Sequence, residues 1–124
     1  MGTDLEEKRQ TRLLLAERLL ELAEHSSEAE MRSSLSRIYY AVYHVALVLV
    51  GSMAHGEIPT ALEDKEEGLG RRYKSLMDLR HRADYNPAFV EQNFGDLDNF
   101  KIQFPQEIEN ARSLYERLLQ LVRG

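Results

Sequence analysis

The clearest pattern in the sequence is an apolar stripe near its C-terminal end, in which apolar residues recur at every third or fourth position without interruption. Residues at these spacings lie on one face of an α-helix. The stripe passes through Pro105, so the sequence predicts either one helix that kinks there or two helices that share a packing face. We favour the single kinked helix. Its members are Leu97, Phe100, Phe104, Ile108, Ala111, Tyr115, Leu118 and Val122.

Helical periodicity also governs the rest of the chain, and no segment alternates with the period of a strand. The sequence therefore predicts an all-α fold in one domain over residues 1–124. We expect an antiparallel up-and-down bundle of four main helices plus short connecting helices. The predicted elements before the last helix are a helix from about Leu5 to Glu24, a helix from about Glu28 to Val50 with Ser27 as N-cap, a short helix from Thr60 to Glu67, a helix from Leu69 to Asp84, and a short turn that begins at Pro87 and stops near Gly95.

Composition excludes several classes of protein. Hydrophobic residues make up 43% of the chain, and it has no cysteine, which excludes disulfides and thiolate chemistry. The apolar run from Ile38 to Val50 is too short to span a membrane, and residues 1–10 lack an apolar signal core. We therefore expect a cytoplasmic protein without a membrane partner. The net charge of −5 argues against non-specific coating of nucleic acid, but it permits a local basic site.

Metal and cofactor motifs are missing from the sequence. Its four histidines are widely separated, and none forms a His-Glu-x-x-His motif. Asp78 and His81 make only a single, imperfect half of a helical di-iron site. Gly68-Leu69-Gly70 is followed by Arg71, Arg72 and Tyr73, so the segment does not match a dinucleotide-binding or P-loop glycine motif. We expect neither a bound metal nor a cofactor.

A polar stripe crosses the otherwise apolar second helix. Arg37, Tyr40 and His44 are spaced by three and four residues and so share one face. Burying such groups without partners costs on the order of 1–3 kcal/mol each. The stripe is therefore either a satisfied network inside the core, which fixes the helix register, or a site open to solvent or a ligand.

A second segment, from Arg71 to Arg82, concentrates positive charge. It holds five basic residues and one acidic residue, Asp78, in a chain that is otherwise strongly negative. Such an island suits phosphate or an acidic partner. The alternative is a solvated helix face whose basic residues complement the helix C-terminus.

Asp84 connects the two segments. A carboxylate at a helix C-terminus is disfavoured by roughly 0.3–1 kcal/mol, and a nearby cation from Arg80 or Arg37 would offset that cost. Tyr85 follows directly. We predict one polar cluster between the second helix and the Leu69–Asp84 helix. Its members are Arg37, Tyr40, His44, Arg80, Asp84 and Tyr85, with Arg82 beside them.

The two segments resemble the HEPN superfamily, the nucleotide-associated all-helical domains, and most closely its small stand-alone prokaryotic members. The family's first motif is a helix of the pattern Ser-x-x-Tyr-Tyr-Ala-x-Phe-His, which resembles Ser36-Arg37-Ile38-Tyr39-Tyr40-Ala41-Val42-Tyr43-His44 of this chain. A His-x-Gly-like loop follows in the family, and His55-Gly56 approximates it here. The family's second motif, Leu-Arg-x-x-Ala/Ser-Asp-Tyr, resembles Leu79-Arg80-His81-Arg82-Ala83-Asp84-Tyr85. A long C-terminal helix closes both patterns, and the resemblance covers most of the chain.

The resemblance implies a helical homodimer, a minimal nucleotidyltransferase as partner in a toxin–antitoxin-like pair, and association with a nucleotide or RNA. Many members are metal-independent ribonucleases whose signature is an arginine and a downstream histidine with four to six residues between them. Here that signature is not found at the expected position, because no histidine follows Arg80 at that distance. The leading expectation is a non-catalytic binding module in which Arg80 and Arg82 contact phosphate or acidic groups. Tyr85 would supply a stacking face or a modifiable hydroxyl, and Tyr40 and His44 would position Asp84. The alternatives are a ribonuclease using Arg80 with His44 or His81, and a purely structural bundle.

Overall fold

The structure is a computed structural model that describes residues 4–21 and 28–124. It is all-helical over these residues and contains no strand there. The all-α class is therefore confirmed. The elements are α1 (Asp4–Glu21), α2 (Glu28–Val50), a single 3₁₀ turn (His55–Glu57), α3 (Ile58–Lys65), α4 (Leu69–Tyr85), α5 (Phe89–Phe94) and α6 (Leu97–Arg123).

The predicted helices are present, with shifted ends. The expected continuation of the first helix to Glu24 and the expected N-cap at Ser27 lie outside the described residues. The short third helix begins at Ile58, two residues before Thr60, because Pro59 sits in its first turn, where a missing N–H costs nothing. The turn predicted after Pro87 is the short helix α5, which ends at Phe94 and has Gly95 as its C-cap with a φ of 88°.

The last helix, α6, runs unbroken from Leu97 to Arg123 and carries Pro105 in its interior. One helix, rather than two, therefore accounts for the apolar stripe. The Asp96 side chain accepts a 2.7 Å hydrogen bond from the Asn99 backbone N–H, which caps the start of α6. Pro105 and Lys101, whose carbonyl loses its helical partner, are both exposed residues of α6.

The core is built around α2, which packs against α1, α4 and α6. Its buried face carries Leu35, Ile38, Tyr39 and Val42, all with no exposed surface. One described helix, α2 itself, is long and apolar enough to cross a membrane, and 56% of that apolar window is buried inside the protein. The run from Ile38 to Val50 is thus part of a longer helix, and its burial is compatible with a soluble protein.

The approach of α3 to α4 depends on a glycine. A Cβ atom at Gly70 would collide with the Pro59 carbonyl oxygen. The Glu63 carboxylate accepts hydrogen bonds from the backbone N–H groups of Gly68 (2.7 Å) and Gly70 (3.0 Å), and these bonds lower the pKa of Glu63. Glu63 therefore holds the first turn of α4 in place, which sets the position of the whole basic helix.

Candidate functional site

The last two turns of α4 form the centre of the candidate site. Arg80 and Asp84 are one turn apart, and Arg80 Nε lies 2.8 Å from Asp84 Oδ2. Within the described part of the chain the buried Nε atom makes no hydrogen bond, so this contact is an ion pair. Ser36 of α2 donates a 3.2 Å hydrogen bond from Oγ to the same carboxylate oxygen. Asp84 is thus fixed from two helices.

Aromatic rings surround the Arg80 guanidinium. Its Nη2 atom donates a 3.1 Å hydrogen bond to the Tyr40 hydroxyl. Its Cζ atom lies 5.0 Å from the centre of the Tyr40 ring, 5.4 Å from that of Tyr39 and 5.7 Å from that of Tyr85. Each such contact contributes about 0.5–1 kcal/mol at exposed sites and more where water is excluded. With a side chain that is only 15% exposed, Arg80 links α2 to the end of α4.

Tyr85 is the outer member of this group. Its side chain is 66% exposed, although it contacts Arg80 on one side and the His81 ring at 4.8 Å on another. Arg82 is exposed on the same turn and donates a 3.2 Å hydrogen bond to the Asn93 side-chain oxygen. We call His81, Arg82 and Tyr85 together the Tyr85 surface. It combines an open aromatic ring with two basic groups.

The end of α4 is also held from α2 by Arg32. Its Nε and Nη2 atoms donate hydrogen bonds of 2.7 and 2.5 Å to the carbonyl oxygens of Ala83 and Asn86. Its Cζ atom lies 5.4 Å from the centre of the Phe89 ring. The last carbonyls of a helix lack internal donors, and a guanidinium supplies them. Sequence reasoning missed Arg32, because nothing in its local sequence indicates which helix end it meets.

His44 has a different neighbour from the predicted one. Arg12 of α1 donates a 2.9 Å hydrogen bond to His44 Nδ1. A guanidinium is only a donor, so this nitrogen is unprotonated and the imidazole is neutral. Burial and the nearby Arg12 charge both lower the pKa of His44. The carboxylate of Asp84, which His44 was expected to position, contacts Ser36 and Arg80 instead.

The other predicted residues fall into two groups. Tyr40, Arg80, Asp84 and Tyr85 meet as described above, whereas Arg37 is half-buried on α2 and we assign it no role in the group. The basic segment is divided along α4. Arg71, Arg72 and Lys74 are exposed near its start, and Arg72 donates a 3.3 Å hydrogen bond to the Ser113 hydroxyl of α6.

A chain of phenols lies behind the Arg80 group. The Tyr39 hydroxyl is 3.0 Å from the Tyr73 hydroxyl and 3.2 Å from Nδ1 of His55. Tyr39 and Tyr73 are fully buried, and burial is the main cause of the raised pKa of each. The His55 ring stacks on Tyr43 with 4.5 Å between ring centres. These hydroxyls therefore stay protonated and act as structural hydrogen-bonding groups.

Comparisons with known proteins add no relative. No family model, no curated protein and no solved structure matches the chain. Among the described residues, no group of three or more histidine, aspartate or glutamate side chains is arranged to hold a metal ion.

Proposed function

We propose that this protein is a HEPN-like, antiparallel four-helix module of the cytoplasm that binds nucleotide or RNA phosphate at the Tyr85 surface, without catalysis of its own. The observation that carries the proposal is the exposed Tyr85 ring, held against Arg80 and bordered by His81 and Arg82. The resemblance of the two motifs to the HEPN superfamily supports the same class of ligand.

The chemistry of these groups suits a nucleotide. An exposed aromatic ring offers a stacking face for a base, which contributes about 1–3 kcal/mol per base in single-strand binding proteins. An exposed guanidinium such as that of Arg82 binds phosphate through charge-assisted hydrogen bonds. Arg80 is occupied by Asp84 and Tyr40. In this proposal Arg80 therefore positions Tyr85 and does not contact phosphate.

The same geometry favours binding over cleavage. A ribonuclease built on Arg80 and His44 needs both groups beside one phosphate, yet His44 accepts from Arg12 while Arg80 is paired with Asp84. His81 contacts Tyr85 and is exposed, which suits a phosphate contact. The ribonuclease alternative predicts RNA cleavage in EDTA that Arg80→Ala and His44→Ala abolish.

The binding test is a titration of the full chain with a fluorescently labelled single-stranded RNA, read by anisotropy. We expect Tyr85→Ala and Arg82→Gln each to weaken binding at least about tenfold, since stacking and phosphate contacts are each lost. Lys74→Gln removes an exposed charge from the other end of the same helix and is the matched control. Equal affinity for all four proteins, or no binding at low salt, would overturn the proposal.

A minimal nucleotidyltransferase partner is a second candidate, favoured by the exposure of Tyr85, whose hydroxyl is open to modification. Co-purification with the product of the adjacent gene, followed by mass analysis of Tyr85 for added nucleotide, tests it. Light scattering of the purified chain tests the homodimer that the resemblance implies. If Arg80→Ala and Tyr85→Phe lower only the melting temperature and change no binding, the chain is a structural bundle.

A further inference from the structure

A second concave site lies between α4 and α6, along α4 from Arg71 to Leu79. It is a cavity of about 340 Å³ whose lining includes Leu76, Leu79 and Leu114. Ligand pockets for small molecules measure roughly 300–1,000 Å³ and combine an apolar lining with a few polar groups. Arg72 and Tyr85 are thirteen residues apart on one helix, or about 20 Å along its axis. The cavity lining extends along α4 to Leu79 and includes no residue of the Tyr85 surface.

Charged groups of both signs line the cavity. Arg72 approaches it from α4 with its hydrogen bond to Ser113, and Arg71 lies on the same side. Glu107 enters from α6, and within the described residues it makes no hydrogen bond or ion pair. Burial without such a partner raises the pKa of Glu107. A half-buried, unpaired carboxyl group in a cleft costs stability, and a ligand that donates a hydrogen bond to it would offset that cost.

We infer that the α4–α6 cavity binds a small organic anion that also carries a hydrogen-bond donor. Its carboxylate or phosphate group would meet the Arg72 guanidinium, and its amino or hydroxyl group would meet Glu107. Its apolar body would lie on Leu76 and Leu79. Binding in this cavity does not require binding at Tyr85, because the two sites share no residue.

The test uses the isotope-labelled full chain and four probe molecules followed by methyl NMR. The probes are 4-(aminomethyl)benzoate, its phosphonate counterpart, benzoate and benzylamine. The first two compare a carboxylate with a phosphate-like anion. Benzoate and benzylamine each carry only one of the two functional groups, so they measure what a single contact contributes. We expect a bifunctional probe to shift the methyl signals of Leu79 and Leu114 and to bind at least tenfold more tightly than benzoate or benzylamine.

Variants assign the two contacts. Glu107→Gln should remove the advantage of the amino group and leave benzoate binding unchanged, whereas Glu109→Gln, an exposed glutamate on the same helix, should change neither. Arg72→Gln should weaken the binding of the carboxylate and of the phosphonate probe, and Arg72→Lys should retain part of the affinity because the positive charge remains. The inference would be overturned if no probe shifted the methyl signals at about 10 mM, or if neither Glu107→Gln nor Arg72→Gln changed the affinity of any probe.

Discussion

Tyr40 and His44 lie one turn apart on α2, yet they belong to two different regions of the molecule. Tyr40 accepts from Arg80 of α4, within a group that includes Asp84 and three tyrosine rings. His44 accepts from Arg12 of α1 and contacts the Tyr43 ring. Helical spacing predicts that the two side chains share a stripe, but the neighbouring helix changes along that stripe. The Arg80 group joins α2 to α4 through several contacts, whereas the Arg12–His44 pair joins α1 to α2.

The first prediction contrasts Arg80 with its exposed neighbour Arg82. Arg80→Ala leaves the Asp84 carboxylate and the Tyr40 hydroxyl without their partner, so we expect a loss of about 2 kcal/mol in the free energy of unfolding. Urea denaturation measures this loss. Arg82→Ala is the control and should change stability by no more than about 0.5 kcal/mol, as is usual for exposed positions. Equal losses for the two variants would show that the Arg80 group does not join the helices.

The second prediction concerns the anchor of the same region. Arg32→Ala should cost about 1–2 kcal/mol, because two carbonyl oxygens at the end of α4 lose their donors. Amide hydrogen exchange should accelerate at residues 83–86 and remain unchanged in α1. Ser33→Ala, at an exposed adjacent position, is the control. Exchange that accelerates throughout the chain would contradict a local role for Arg32.

The third prediction addresses the other region. Arg12→Ala removes one partly buried hydrogen bond between α1 and α2, so we expect a loss of about 0.5–1 kcal/mol. Exchange should accelerate in α1 while the end of α4 stays protected. The exposed residue Arg9 gives the control variant, Arg9→Ala. If Arg12→Ala also altered residues 80–85, the two regions would be coupled, contrary to the structure.

The fourth and smallest effect is a pH dependence confined to α1. The folded pKa of His44 lies below its ordinary value of 6.5, so the folded state favours the neutral imidazole. This contribution is fully present above pH 6.5 and is lost as the pH falls below that value, when protonated Nδ1 no longer accepts from Arg12. Exchange in α1, corrected for intrinsic rates, should therefore rise between pH 7 and pH 5. His44→Gln should remove this rise, and its persistence in that variant would assign it to another group.

Most of the fold was predictable because it depends on local spacing. The stripe from Leu97 to Val122 lies on one helix, and its members Phe100, Ile108 and Leu118 are buried. Helix ends were less predictable, since the start of α3 depends on whether Pro59 is read as a breaker or as a first-turn residue. These differences are small because they leave the core-facing residues unchanged.

The site was predictable only where its contacts are local. Arg80 and Asp84 are four residues apart, so their pairing follows from helix geometry alone. The contact of Ser36 with Asp84 and the bonds from Arg32 to α4 depend on how α2 and α4 are placed side by side. The contact of His44 with Arg12 depends in the same way on how α1 is placed against α2. A sequence stripe specifies a face, and only the tertiary packing specifies what covers it.

A residue-by-residue NMR titration of the full chain with single-stranded RNA at low salt would locate the binding surface. We expect backbone and side-chain signals to shift at residues 81–86 and the signals of Arg12 and His44 to stay in place. Shifts centred on the Arg12–His44 pair, or no shifts at Tyr85, would contradict the assignment of binding to the end of α4.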